Sequence, residues 1–176
     1  LTSIEPLAAS EARGQSLFVY KLIDFGAAVG VDQETAEVCM MTACSDFGGT
    51  PGYSAPECFR ESGDVTYASD VWSLAVSLFQ LASGGLPFDT RNLAVVAADV
   101  AGDMGKEAPD VRDRAPEQAR ANISNSFAGV LTKGLQKRVD GRYRTVDEMA
   151  TDLYGCLVER GEGTYSAFIS YRVSSE

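Results

Sequence analysis

Asp24 stands out in this sequence as a residue with the potential for chemistry, and it is followed directly by Phe25 and Gly26. It comes at the end of the β-branched and aromatic run 16–23, so the sequence predicts a strand that stops at a carboxylate on a turn. A carboxylate oxygen on a fixed turn is the type of ligand that a hard cation binds. The plainer interpretation of the same tripeptide is an ordinary turn after a strand.

Composition removes several other kinds of chemistry. The 176 residues hold 15 Lys and Arg against 25 Asp and Glu, for a net charge of −10, and they include no histidine. Imidazole bases, Ser-His or Cys-His nucleophile pairs and Cys/His zinc sites are therefore excluded. The acidic balance, without a basic stripe, argues against a nucleic-acid or anionic membrane surface. The four cysteines form no C-x-x-C pair, which favours reduced thiols and a cytoplasmic location.

Three elements are expected to position the first half of the chain. Residues 16–23 should form a strand, and residues 27–52, which show no sustained period, a long exposed loop. From 68 to 83 the chain is apolar nearly all round, which is typical of a buried helix. Ser69 is its candidate N-cap and Gly84-Gly85 its stop.

The second half should be helical as well. A weaker helix is predicted over about 93–100, followed by a polar loop over 102–125. An amphipathic helix then includes Phe127 and ends near Lys137-Arg138. Thr145-Val-Asp-Glu148 is a capping box for the last helix.

Two further motifs follow Asp24-Phe25-Gly26 in a fixed order. The run Gly49-Thr-Pro-Gly-Tyr-Ser-Ala-Pro-Glu57 begins 23 residues after Gly26, and Asp70-Val-Trp-Ser-Leu74 opens the buried helix 13 residues after Glu57. This ordered set resembles the C-terminal lobe of the eukaryotic-type protein kinases, in which Asp-Phe-Gly and Ala-Pro-Glu flank the activation loop. The resemblance covers about residues 1–158. It implies a mainly α, kinase-like C-lobe of an α+β family fold.

The resemblance assigns roles to several residues. Asp24 matches the ligand of the Mg²⁺ that bridges the phosphates of ATP. Phe25 and Gly26 complete the Asp-Phe-Gly motif at the nucleotide site. Thr50 matches the threonine that lines the peptide groove of serine/threonine kinases, so the expected substrates are serines and threonines of proteins. Asp70 matches the acid that binds the catalytic-loop backbone, a role compatible with a first-turn acid that suits the helix dipole.

Glu57 should be half-buried, and an unpaired buried carboxylate is costly, so it requires an arginine. Arg142 and Arg144 both stand in the right region. The run that begins at Arg142 looks like the last helix of the lobe in bacterial-type kinases, and this favours Arg142 over Arg144.

The activation-loop region holds two candidates for regulation. Asp46 lies four residues before Thr50, where many kinases carry a phosphorylated residue, and its fixed charge could replace part of a phosphate. The alternative is an ordinary exposed loop acid. The neighbouring Ser45 is a candidate phosphorylation site.

The start of the chain carries an expectation about catalysis. The family's glycine-rich loop, lysine and catalytic loop have no match before Asp24, and Leu1-Thr-Ser resembles the segment that directly follows the catalytic-loop asparagine. The catalytic aspartate is therefore expected upstream of Leu1, with no catalytic base among residues 1–176. The N-lobe is expected to be absent, and the isolated chain to be inactive with exposed apolar surface around Trp72 and Leu78.

The other end of the chain carries a second resemblance. Residues 159–164 are an expected linker. Residues 165–176 resemble the first strand of a Toll/interleukin-1-receptor (TIR) domain, and a stray terminal strand is the alternative.

Two other functions stay open at this stage. A pseudokinase scaffold would lack a catalytic group upstream. A TIR-type adaptor or NAD-cleaving protein would be regulated by the kinase lobe and could use TIR-mediated partners.

Overall fold

The computed structural model describes residue 23 and residues 50–60, 65–88, 92–101 and 106–159. Within these ranges the structure is helical and contains no strand. The α-helices are α1 (Tyr67–Ser83), α2 (Leu93–Ala101), α3 (Val111–Arg114), α4 (Glu117–Arg120), α5 (Asn125–Gly134) and α6 (Val146–Glu159). Short 3-10 turns cover Pro51–Tyr53, Pro56–Phe59 and Val139–Gly141. The mainly α fold expected from the sequence is confirmed for this part of the chain.

Helix α1 is the central element, and both of its ends have local causes. Thr66 is the N-cap, because its Oγ1 accepts from the Ala68 N–H at 3.3 Å while Ser69 Oγ accepts from the Thr66 N–H at 3.1 Å. The prediction that Ser69 is the N-cap was therefore wrong. The N-cap is Thr66, and Ser69 is the third residue of the helix, whose side chain completes the capping box. Gly84 ends the helix with φ of 79°, a left-handed conformation that glycine adopts without strain.

The core forms where α1 meets α5 and α6. Trp72, Phe79, Leu131 and Met149 are almost completely inaccessible to solvent. Gly134 of α5 lies so close to α1 that a side-chain Cβ there would be 2.8 Å from the Cβ of Ala75. The long apolar helix is thus the surface on which the rest of the described chain packs.

Two sequence predictions need correction between α2 and α6. The polar segment 102–125 is not all loop, because α3 and α4 each form one turn; Asp110 caps α3 by accepting the Arg112 N–H at 2.8 Å. Helices this short give no readable period. Helix α5 ends at Gly134 rather than near residues 137–138. The carbonyls of Gln136 and Lys137, which follow the helix, accept hydrogen bonds from the Arg142 side chain, as described below.

The predicted exposure around Trp72 was also wrong. Trp72 is fully buried and stacks on Phe88, with ring centroids 5.8 Å apart and an interplanar angle of 7°. Leu78 is partly buried against the core. Two large apolar side chains of α1 face solvent, Leu81 at 82% exposure and Tyr67 at 47%.

The last helix begins much as its motif predicts. Thr145 Oγ1 accepts from the Glu148 N–H at 3.3 Å. The Glu148 carboxylate accepts from the Arg144 N–H at 2.9 Å rather than from that of Thr145. No helix in the described part of the chain is both long and apolar enough to cross a bilayer.

Candidate functional site

The segment that contains Glu57 is bent into two consecutive 3-10 turns. Each begins at a proline, Pro51 or Pro56, whose ring presets the required backbone angle. Ala55 and Pro56 are buried, and the second turn carries Glu57 inward until the residue is only 7% exposed. The turn therefore delivers a carboxylate into the protein interior.

Arg142 meets this carboxylate with both ends of its guanidinium. Nη1 lies 2.8 Å from Glu57 Oε1 and Nη2 lies 2.8 Å from Oε2, a bidentate pair. The remaining donors bond to the carbonyls of Ala68, Gln136 and Lys137, at 3.0, 2.5 and 3.0 Å. Arginine has five N–H donors, and each of them is used here. One buried side chain thus connects the Glu57 turn, the start of α1 and the chain after α5.

Hydrogen bonding holds Glu57 in its charged form. Burial would raise the pKa of its carboxyl, but the hydrogen bonds from Arg142 and Ser69 together with the Arg142 charge outweigh it, and the pKa is lowered. Ser69 Oγ donates to Glu57 Oε1 at 2.7 Å. The pair is therefore ionised at neutral pH.

The Trp72 ring packs against the Arg142 guanidinium. The Arg142 guanidinium carbon lies 5.0 Å from the Trp72 ring centroid, within cation–π range. The indole Nε1 is buried and has no hydrogen-bond partner among the described residues. The ring contributes packing and a π-face to the pair.

Of the two arginines considered from the sequence, the structure joins only Arg142 to Glu57. Arg144 is exposed, and its backbone N–H caps α6 through Glu148. The sequence spacing left both residues eligible. The three-dimensional path after the Val139–Gly141 turn turns Arg142 inward and Arg144 outward.

Thr50 and Asp70 are both exposed. Thr50 is exposed, and its carbonyl accepts from the Tyr53 N–H at 3.0 Å at the start of the first 3-10 turn. Asp70 is in the first turn of α1, where partial desolvation raises the pKa of its carboxyl. Within the described ranges, no hydrogen-bond partner of the Asp70 carboxylate is found.

The remaining predicted site residues lie outside the described residues. They are the motif Asp24, Phe25 and Gly26 and the loop candidates Ser45 and Asp46. The described residues contain no group of three His, Cys, Asp or Glu side chains that could hold a metal ion.

Leu1, upstream of which the catalytic aspartate is expected, also lies outside the described residues. The position of that aspartate before Leu1 stays a prediction from the sequence.

Sequence reasoning missed the polar side chains of α1 that contact the Glu57 segment. Ser73 Oγ donates to the Tyr53 carbonyl at 2.8 Å, and the Tyr53 hydroxyl donates to Gln80 Oε1 at 2.5 Å. The available signal was the interruption of an otherwise apolar helix by Ser73 and Gln80.

Comparison with known proteins identifies the family. A family model described as the protein kinase domain matches residues 10–154. The chain belongs to the protein kinase domain family. The Asp24 motif, the Glu57 motif and α1 all lie within the matched kinase segment.

Individual relatives of this kinase chain are plant and bacterial. The chain is 42% identical over 76 residues to CBL-interacting protein kinase 12 of Oryza sativa subsp. japonica, covering 43% of this chain and 13% of that kinase. It is 28% identical over 140 residues to serine/threonine-protein kinase PknE of Mycobacterium tuberculosis, covering 80% of this chain and 22% of that kinase. The matched segment therefore spans less than a quarter of either relative.

Proposed function

We propose that this kinase-domain chain is the C-terminal lobe of a protein serine/threonine kinase, which transfers the γ-phosphate of ATP to serine or threonine residues of protein substrates. The observation that carries the proposal is the buried pair of Glu57 and Arg142, since it anchors the Gly-Thr-Pro to Ala-Pro-Glu segment on α1. Phosphoryl transfer depends on positioning more than on covalent chemistry. An anchored segment that carries the exposed Thr50 suits that requirement.

Asp24 is the proposed ligand for Mg²⁺. The carboxylate oxygen is the donor type that this hard cation prefers, and the metal would neutralise charge on the phosphates of ATP. Phe25 and Gly26 would fix the turn that presents the carboxylate. This assignment rests on the motif, its order in the chain and family membership.

Thr50 is the proposed contact on the peptide side. It is exposed immediately before the first 3-10 turn, so its hydroxyl is available to a substrate while its carbonyl is held by that turn. The names of relatives such as CBL-interacting serine/threonine-protein kinase 9 of Arabidopsis thaliana, 44% identical over 75 residues, point to the same acceptor class. Ser45 and Asp46 remain the proposed regulatory positions of the activation loop.

Residues 1–176 by themselves are proposed to be inactive, because no catalytic-loop base or glycine-rich loop can be recognised in them. Activity should therefore be sought in the full-length protein. The cytoplasmic location and the TIR-like start at 165–176 stay predictions from the sequence.

Labelled phosphate transfer tests the proposal. The full-length protein would be incubated with γ-labelled ATP, Mg²⁺ and a generic Ser/Thr protein substrate, and compared with its Asp24→Ala and Asp113→Ala variants. Asp113 is an exposed acid of α3, so its removal controls for loss of a carboxylate elsewhere. Transfer that disappears only in Asp24→Ala supports the proposal. Equal transfer by all three proteins would remove Asp24 from the reaction, and no transfer by the wild type would favour a pseudokinase.

A further inference from the structure

A cleft lies where the start of α1, the end of α2 and the chain after α5 come together. Among the described residues it is lined by Ala68 of α1, Val100 of α2 and the run 137–140. Its volume is about 1110 Å³, and a sphere of that volume is about 13 Å across, the length of about four extended residues. A single inorganic ion would leave most of this space empty. The size of the cleft therefore suits a short peptide segment.

The charged side chains of this cleft reverse the charge balance of the chain. Of the described residues that line it, four are cationic and two are acidic, whereas the whole chain has a net charge of −10. The cations are Arg60, Lys137, Arg138 and Arg144, and the acids are Glu107 and Asp140. Guanidinium groups bind the oxygens of carboxylates and phosphates through paired N–H donors. The cleft is thus a locally positive surface on an acidic protein.

Two of the four cations already have partners in the protein. Arg138 and Asp140 form a bidentate pair, with Nη2 2.7 Å from Oδ2 and Nε 3.0 Å from Oδ1. Lys137 Nζ uses one of its three N–H donors on the Asp99 carbonyl, at 2.6 Å. Burial lowers the pKa of Lys137 more than the charges of Glu107 and Asp99 raise it. Nearby acids therefore leave this ammonium only partly compensated.

The other two cations, Arg60 and Arg144, are available to a ligand. Both residues are exposed, and their side chains have no hydrogen-bond or ion-pair partner within the described ranges. Their backbones are nevertheless held, because the Arg60 N–H donates to the Glu57 carbonyl at 3.2 Å and the Arg144 N–H donates to the Glu148 carboxylate at 2.9 Å. Each guanidinium is thus carried on a fixed backbone.

Two large apolar side chains of the same cleft are also exposed. Tyr67 is 47% exposed and Val139 is 43% exposed, and both line the cleft. A single exposed apolar residue is ordinary. Here an aromatic ring and a β-branched side chain share a cleft with two arginines, and Tyr and Arg are residue types enriched at protein–protein interfaces. The lining therefore offers both charge and apolar contact to a protein partner.

The buried ion-pair cluster joins two walls of the cleft. Arg142 Nη1 donates to the Ala68 carbonyl and Nη2 donates to the Lys137 carbonyl, both at 3.0 Å. Ala68 is at the start of α1, and Lys137 follows α5. One buried side chain thus fixes these two walls relative to each other, so a ligand meets a cleft that is already formed. Such preorganisation lowers the entropy cost of binding.

We propose that this cleft is a docking site for a short peptide segment of a partner protein, and that this segment carries both acidic and apolar residues. Its acidic groups bind Arg60 and Arg144, and its apolar side chains pack on Tyr67 and Val139. Charge complementarity selects this occupant. The net charge of −10 repels a long polyanion such as a nucleic acid or an anionic membrane, whereas a short segment contacts the positive cleft alone. Docking goes beyond phosphate transfer and does not depend on it.

Fluorescence anisotropy tests the docking directly. The probe is a fluorescein-labelled peptide in which Asp and Glu alternate with Leu, and its control carries Asn and Gln in place of every Asp and Glu. With the full-length protein at low salt, the control peptide should bind about tenfold more weakly than the acidic peptide. The affinity for the acidic peptide should fall as the salt concentration rises. Equal affinities for the two peptides would overturn the proposal.

Substitution of the two available arginines locates the binding site. Arg60→Ala and Arg144→Ala should each raise the Kd of the acidic peptide about fivefold, the effect of losing one exposed charge pair. Arg120→Ala is the matched control, because Arg120 is an exposed arginine of α4 outside the cleft, and its Kd should be that of the wild type. An unchanged Kd in both cleft variants, or an equal rise in Arg120→Ala, would overturn the proposal. Displacement of the peptide by Mg²⁺ and ATP at constant ionic strength would place it at the nucleotide site and would also overturn it.

Discussion

Replacing Arg142 with alanine should destabilise the fold far more than the same change at Arg144. The Arg142 side chain is inaccessible, and that of its partner Glu57 is 9% exposed. Removing one member of such a buried pair costs about 3–5 kcal/mol, because the other charge is left without compensation. The substitution also removes the donors to the carbonyls of Gln136 and Lys137, so the upper part of this range is expected.

Arg144→Ala is the internal control. This side chain is exposed, and only its backbone N–H caps α6, so the change should stay within about 0.5 kcal/mol. Arg142→Lys should recover only part of the loss, because an ammonium cannot make the bidentate contact.

Chemical denaturation of the full-length protein and its variants, followed by circular dichroism, gives the free energies of unfolding. A double-mutant cycle with Glu57→Ala completes the test, and the double variant should lose less than the sum of the two single losses. Equal losses for Arg142→Ala and Arg144→Ala, or strict additivity in the cycle, would refute the argument that the pair is buried and coupled.

Three further predictions concern the same fold. Because folding lowers the pKa of Glu57, its carboxylate stabilises the fold fully above the ordinary glutamate pKa, and this stabilisation is lost as the pH falls through the pKa of the folded state. Glu57→Gln should therefore weaken the dependence of the unfolding free energy on pH below about pH 4.3. Denaturation measured at a series of pH values tests this. Gly134→Ala should cost about 1–3 kcal/mol in thermal or chemical unfolding because its Cβ would meet Ala75 at 2.8 Å, whereas Gly129→Ala on the open side of α5 should be neutral or stabilising; the reverse order would contradict the packing of α5 on α1. Gly84→Ala should lower stability by about 1–2 kcal/mol through its φ of 79°, and an unchanged melting temperature would show that the α1 terminus relaxes.

Several features of this molecule can be predicted from the sequence because they depend on local chemistry. The apolar run that becomes α1, the glycine that ends it and the Thr145 start of α6 are each set by neighbouring residues. The need of Glu57 for a cationic partner follows from the cost of burying a carboxylate alone. The choice of Arg142 came from resemblance, and the structure brings these two residues together at 2.8 Å.

Other features depend on tertiary contacts that no local pattern records. Helix α5 ends at Gly134, and beyond it the Arg142 side chain donates to the carbonyls of Gln136 and Lys137. Ser69 looks like an N-cap in sequence, yet the preceding Thr66 has the extended backbone that a cap requires. Trp72 stacks on Phe88, which follows the helix, and no local pattern in the sequence predicts that contact.

The central claim, that this chain is part of a serine/threonine kinase, is tested most directly by the identity of the phosphorylated residue. Three peptides that differ only in carrying serine, threonine or tyrosine as acceptor would be incubated with the full-length protein, Mg²⁺ and γ-labelled ATP. We predict label on the serine and threonine peptides, none on the tyrosine peptide, and loss of all label in Asp24→Ala. Labelling of the tyrosine peptide alone, or labelling that persists in Asp24→Ala, would contradict this account.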